Sequence, residues 1–208
     1  MKTLIDAAEL LNRLTGAFES AQVFQGCDQK NLDDFERLWK PELISRRSEF
    51  TTWQESAEAN AQDSHWDWIR KARAANDSLQ YEFFTVECGD TTQGLMLVDV
   101  TKFANLPTQE GRELVYVDFL ATAPWNRPGF SQAPKYKGIG RLLIATAVSL
   151  SLTLEFKGRI GLHSLPQSEN WYETVCGFTA SGYDQEKKLK YFEMTEIQAA
   201  CFLTEEGR

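Results

Sequence analysis

Two periodicities divide the chain. Over the first 78 residues, apolar positions recur at every third or fourth place, and Leu4, Ala8, Leu11, Leu14 and Phe18 fall on one face of a predicted helix. Gly26 and the polar stretch 27–31 close that segment. A second helix is predicted over 32–39, ahead of Pro41, and a third over 51–75, where Trp53, Ala57, Ala61, Trp66, Ile69 and Ala72 are spaced along it. From residue 79 the pattern becomes that of strands. Residues 79–88 (LQYEFFTVEC) are rich in β-formers and stop at Gly89-Asp90, a turn pair, and 94–100 (GLMLVDV) returns beside them as a hairpin. The near-continuous apolar run 114–121 (LVYVDFLA) predicts a central strand, halted before Pro124. One dense apolar helix over 140–155 ends at Gly158, and 159–165 (RIGLHSL) is a further strand. A short helix over 168–175, capped by Gly177, and a last strand over 189–195 complete the order β-β-β-α-β-α-β after the helices. The strand–helix–strand unit within 114–165 is expected to be a parallel crossover.

Composition narrows the class. With 208 residues, 42% hydrophobic and 25% charged, the chain can bury a real core, and wholesale disorder is excluded. No apolar run approaches the roughly 18–20 residues of a membrane span. Asp6 and Glu9 interrupt the first apolar run, so it does not read as a secretory signal. The four cysteines lie apart with no CxxC pair, which points to free thiols and a cytoplasmic, soluble protein. Neither they nor His65 and His163 have the spacing of a metal site. No GxSxG elbow is present. The net charge of −8 argues against a general nucleic-acid binder. Within 127–165, however, Arg127, Lys135, Lys137, Arg141, Lys157 and Arg159 face Glu155 alone, a local balance of +5. Such an island suits an anionic ligand, or a solvated loop face.

The most informative stretch is Lys135-Tyr136-Lys137-Gly138-Ile139-Gly140-Arg141, directly before the dense helix. The first N–H groups of a helix lack intrahelical partners and carry partial positive charge, and glycines let a backbone close around an oxygen. On the glycines alone the stretch also reads as a plain helix start. GxxxxGK[ST] is absent, and a dinucleotide fingerprint would need glycine where Leu143 stands.

A strand, a proline, then a basic or amide residue and G-x-G opening a helix resembles the acetyl-CoA motif of the GNAT superfamily of N-acetyltransferases. Trp171-Tyr172 followed by Gly177-Phe178 resembles the second motif, so that the likeness covers about residues 79–195. The resemblance implies an α/β (α+β) fold with a GNAT-like central mixed sheet and splayed parallel strands. Residues 79–208 would form the acetyl-CoA-binding core, and a helical region over 1–78 would pack on it and shape the acceptor site. It implies an N-acetyltransferase acting on a primary amine. Backbone groups of Leu120 and Thr122 would meet the pantetheine arm, and Lys135, Tyr136, Lys137, Gly138, Ile139, Gly140 and Arg141 would hold the pyrophosphate. Tyr172 would be the general acid, with packing under the sheet as its alternative. The base stays open between Asp118 and His163, since a strand carboxylate also suits an ion pair with Arg159 or Arg141. Departures are Lys135 at the first motif position, the long stretch 125–134, Leu165 where the family often has asparagine, and Tyr172 one residue further from Gly177. They leave room for an acyl-CoA-binding sensor or interaction module, and the basic island for an RNA-directed acetyltransferase. An acidic exterior favours a cationic acceptor, a small molecule or a protein amine. The first helix would serve a homodimer as well as its own core.

Overall fold

The computed structural model describes residues 2–52, 55, 60–130 and 133–206. The chain forms two compact units, Met1–Leu97 with Phe119–Leu143 and Val98–Asp118 with Ile144–Arg208.

The first unit opens with a correction. Residues expected to form an amphipathic helix form an antiparallel hairpin, β1 (Thr3–Leu11) and β2 (Phe18–Gln25), paired from Thr3↔Gln25 to Leu11↔Phe18 with a one-residue register shift between Leu4 and Asp6. The residues that suggested a helical face are the wrong guide, because Leu4, Leu14 and Phe18 are exposed. Burial instead falls on Leu10, Ala21 and Val23, the last two alternating along β2. Asn12 shapes the connection, its side chain accepting from the Leu14 N–H at 3.0 Å, and Gly16 supplies a φ of +74°. β2 pairs antiparallel with β3 (Tyr81–Cys88), and β4 (Thr91–Phe103) follows after the Gly89-Asp90 turn.

Helices do occupy the next stretch. Helix α1 (Gln29–Asp34) carries a capping box between Asp28 and Asn31 and runs through a π-helical turn, Phe35–Trp39, into α2 (Lys40–Ser48). Phe35, Trp39 and Leu43 recur every four residues as one buried stripe. Of the helix expected over 51–75, Trp53 and Ala57 lie outside the described residues. Among the described residues Glu55 is helical, 60–67 are turn and coil, and the next helix is α3 (Trp68–Asn76), where the Asp67 side chain accepts from the Arg70 N–H at 2.9 Å. The stripe packs with Trp68, Ala72, Phe83, Leu95, Leu97 and Ala121 as one core.

In the second unit, β5 (Glu113–Thr122) enters as far as Asp118, and helix α4 (Ile139–Thr153) contributes all but its first turn. β6 (Ile160–Ser164) lies parallel to β5, as the crossover predicts. Helix α5 (Glu169–Thr174) leads to β7 (Thr179–Asp184), which the sequence pattern did not announce, then β8 (Leu189–Met194) and helix α6 (Glu196–Glu206). The hydrogen-bonded order β1-β2-β3-β4-β5-β6-β8-β7 makes a mixed eight-stranded sheet. A buried carboxylate, Glu193, fixes the β4–β5 connection by accepting from the N–H groups of Asn105 and Leu106 and from the Gln109 amide.

Candidate functional site

In the first unit the glycine turn is held from behind. The Lys135 N–H donates to the Trp125 carbonyl at 2.9 Å, and the Tyr136 N–H donates to Asn126 Oδ1 at 2.9 Å. The N-terminal hairpin secures the same segment: Arg13 N–H donates to the Lys135 carbonyl at 2.8 Å, Asn12 forms a bridge with Tyr136, and the Tyr136 hydroxyl donates to the Glu19 carboxylate. Burial and that carboxylate push the Tyr136 phenol upward. Tyr136 is therefore a buried anchor, and its amide is not among the donors the turn offers outward. Past it, Lys137 is exposed and Gly138 adopts a φ of +103°. The first intrahelical bond of α4 runs from the Leu142 N–H to the Gly138 carbonyl at 2.9 Å, so the N–H groups of Ile139, Gly140 and Arg141 precede it. A Cβ on Gly94 of β4 would stand 2.9 Å from Ile139 Cγ2 and Leu143 Cδ1. The first turn of α4 thus rests on bare strand backbone.

The basic island is smaller than its sequence suggests. Arg127 is buried and spends its guanidinium on Asp63, bidentately at 2.6 and 2.7 Å, on the Asn60 carbonyl at 2.9 Å and on the Thr122 carbonyl at 2.7 Å. Arg159 is also buried and donates to the Glu113 carbonyl at 2.9 Å. Lys157 pairs with Glu196 at 3.7 Å. Lys135, Lys137 and Arg141 are the cations that flank the turn.

In the second unit the parallel ladder is short. It holds Val115↔Ile160, Tyr116↔Gly161 and Val117↔Leu162, and stops there although β5 continues to Thr122. β6 pairs with β8 along its whole length, so His163 and Ser164 keep their rungs opposite Tyr191 and Lys190 after the β5 ladder has ended. Asp118, half-buried, is the first residue of β5 beyond the last rung.

No family model matches the chain, and no curated protein matches it. Solved structures do. The N-acetyltransferase PaiA of Thermoplasma acidophilum, in complex with coenzyme A, aligns over 84% of this chain and 98% of its own at 12% identity, with a TM-score of 0.50. FeeM, an N-acyl amino acid synthase from uncultured soil microbes, aligns over 86% and 92% at 11% identity and a TM-score of 0.54. A transcriptional regulator of Bacillus halodurans aligns over 79% and 96% at 16% identity and a TM-score of 0.51. This is the GNAT fold. At such identities the likeness is one of fold, and the chemistry must be argued from this chain's own residues.

On that GNAT frame the three expected catalytic side chains all belong to the second unit, in different settings. Tyr172 of α5 is buried, with Trp171, Phe178 and Phe192 around its ring at centroid distances of 5.0, 5.5 and 6.3 Å. Burial drives its phenol well above the ordinary value. His163 of β6 sits in a polar cluster. Its Nδ1 lies 2.6 Å from the Tyr116 hydroxyl and its Nε2 3.1 Å from Asp184 Oδ2. Lys187 Nζ is 2.9 Å from the same hydroxyl and 4.8 Å from the Tyr116 ring centroid. Burial and the Lys187 charge both hold His163 below its usual value. Asp118 is the charge that, after burial, most raises Tyr116. Sequence reasoning missed Tyr116, Asp184 and Lys187. The alternation of Tyr116 with Asp118 on β5 was a usable signal for the first, whereas nothing in the pattern places the β7–β8 turn beside β6. Among the described residues no group of three His, Cys, Asp or Glu is arranged to hold a metal ion, and no helix is long and apolar enough to cross a membrane.

Proposed function

We propose that the chain is an acyl-CoA-dependent N-acyltransferase, with acetyl-CoA as donor and a primary amine as acceptor. The observation that carries this reading is the anchored glycine turn that opens α4, on a fold shared with a coenzyme A-bound N-acetyltransferase. The residues fit the donor's diphosphate: Gly138 leaves room that a side chain would fill, the end amides Ile139 to Arg141 supply donors, and Lys135, Lys137 and Arg141 supply charge. Backbone groups of Leu120 and Thr122 on the free end of β5 would pair with the pantetheine arm. The Thr122 carbonyl already accepts from Arg127 at 2.7 Å, which fixes its direction and leaves its second lone pair. When bound, the donor supplies an activated acyl carbon and a thiolate leaving group. The chain must then take a proton from the acceptor amine and return one to the departing sulfur. His163 or Asp118 serves the first step and Tyr172 the second.

Titration calorimetry with acetyl-CoA tests the reading. Binding in the micromolar range is expected, with Gly138→Val weakening it by about tenfold or more. Absence of heat at millimolar ligand would remove the proposal. A second reading rests on one observation, the enclosure of Tyr172 by aromatic rings: a GNAT-fold module that binds acyl-CoA with little turnover. Thiol release measured over a panel of amines separates the two, and Tyr172→Phe lowers turnover with little change in donor affinity only under the first.

A further inference from the structure

The polar cluster of the second unit has a direction. An ammonium only donates, so Lys187 donates to the Tyr116 oxygen at 2.9 Å. The single Tyr116 O–H is then left for His163 Nδ1 at 2.6 Å, which assigns the proton of the neutral imidazole to Nε2. That N–H donates to Asp184 Oδ2 at 3.1 Å. Asp184 is itself fixed, because its Oδ1 accepts from the N–H groups of Glu186 and Lys187 at 2.8 and 2.9 Å in the β7–β8 turn. The order Lys187→Tyr116→His163→Asp184 thus runs from an alkylammonium to a carboxylate through two groups that each hold one transferable proton.

The charges around it favour a cation at the Tyr116 end. Asp99 from β4, Asp118 from β5 and Asp184 from the end of β7 all act on Tyr116, and Tyr191 from β8 faces His163 at a ring distance of 4.8 Å. The cation present is Lys187, an exposed residue whose ammonium is held by a phenol oxygen and the face of that phenol's ring and lies 3.4 Å from His163 Nδ1, farther than the Tyr116 hydroxyl.

Building on the acyltransferase reading above, we propose that Tyr116 is a catalytic residue that receives the acceptor amine, and that the Lys187 ammonium marks and occupies its subsite. The acceptor class is therefore a primary alkylammonium. Entering in place of Lys187, it donates an N–H to the Tyr116 oxygen. As that proton crosses, Tyr116 passes its own to His163 Nδ1. One proton leaves the amine and one arrives on the imidazole, so that the nitrogen gains a free lone pair and charge is conserved. Asp184 acts as a positioning residue, fixing the tautomer and pairing with the imidazolium that forms.

Imidazole ¹⁵N resonances of His163 give the test, followed as n-butylammonium chloride is titrated at constant ionic strength. In Lys187→Met, saturable movement of His163 is expected at concentrations about tenfold or more below those the parent protein needs. Butyltrimethylammonium, which cannot donate, is expected to bind more weakly by a similar factor, and Tyr116→Phe added to Lys187→Met is expected to abolish the response. The amide spectrum of that double variant checks that it is folded. An unmoved His163 in Lys187→Met, or a response that survives Tyr116→Phe in a folded protein, overturns the proposal. Acetyl-CoA calorimetry on the same samples separates the two ideas. Donor binding with an unmoved His163 sinks the subsite alone. Amine binding without donor binding sinks the acyltransferase reading and leaves the subsite standing.

Discussion

Two of the polar networks among the described residues are built on opposite plans. In the first unit, the Arg127 guanidinium is surrounded by acceptors of fixed position, a bidentate Asp63 and two main-chain carbonyls. In the second unit, Tyr116 and His163 pass hydrogen bonds along a row whose outer end is an exposed lysine on a turn. Every partner of Arg127 belongs to the framework, so nothing there can exchange without leaving a buried charge uncompensated. Under the proposal, the row at His163 has an outer end that another ammonium would take over by donating to the same Tyr116 oxygen. Saturation by the framework marks structure, and an exchangeable end marks chemistry.

That contrast can be broken by substitution. Arg127→Ala is expected to have the largest effect, about 3–5 kcal/mol of lost stability, because Asp63 would remain buried without its counter-charge. Urea denaturation measures it, and a loss below 1 kcal/mol would remove the framework role. Tyr116→Phe keeps the ring but takes away the donor to His163 Nδ1, with an expected cost of about 1–3 kcal/mol. Acid titration sharpens the comparison further. His163 is held below the ordinary histidine value by burial and by Lys187, so the unfolded chain binds the proton at a higher pH than the folded one. Stability from this group is complete above the unfolded value near 6.5 and is lost as pH falls from there through the folded value. Lys187→Met removes one of the two depressing causes and is expected to raise the His163 titration midpoint by NMR. The same substitution is expected to shift global stability least, within about 0.5 kcal/mol, as an exposed turn residue should.

Much of this was legible in the sequence where burial and pattern agree. β3, β4, β5, β6 and β8, the apolar helix and the glycine turn announced themselves because their apolar residues are the ones the protein buries. The first hairpin was misread for the converse reason. Leu4, Leu14 and Phe18 set a helical spacing and yet lie in solvent, while the short buried set Leu10, Ala21 and Val23 is too sparse to declare a strand pair. β7, with the residues TASGYD, exposes most of its positions and contains Gly182 at a φ of +115°, so it has little hydrophobic signal to offer. The basic island misled in part, since a guanidinium serving Asp63 and one serving a distant ligand look the same in one dimension. Of the candidate site, the glycine turn was visible because its glycines and the helix it opens are contiguous. The partners of His163 were not, because Asp184 and Lys187 reach it from a turn whose place depends on β7 and β8 pairing first.

The bond from Tyr136 to Glu19 spans 117 positions of sequence. During synthesis the hairpin therefore leaves the ribosome well before the segment it braces, by roughly 6–23 s at about 5–20 residues per second. Throughout that interval Leu10, buried in the finished protein with Gly138 beside it, waits for part of its cover next to an unpaired strand edge, a nascent surface for which holding factors and mispairing would compete before the turn ever closes.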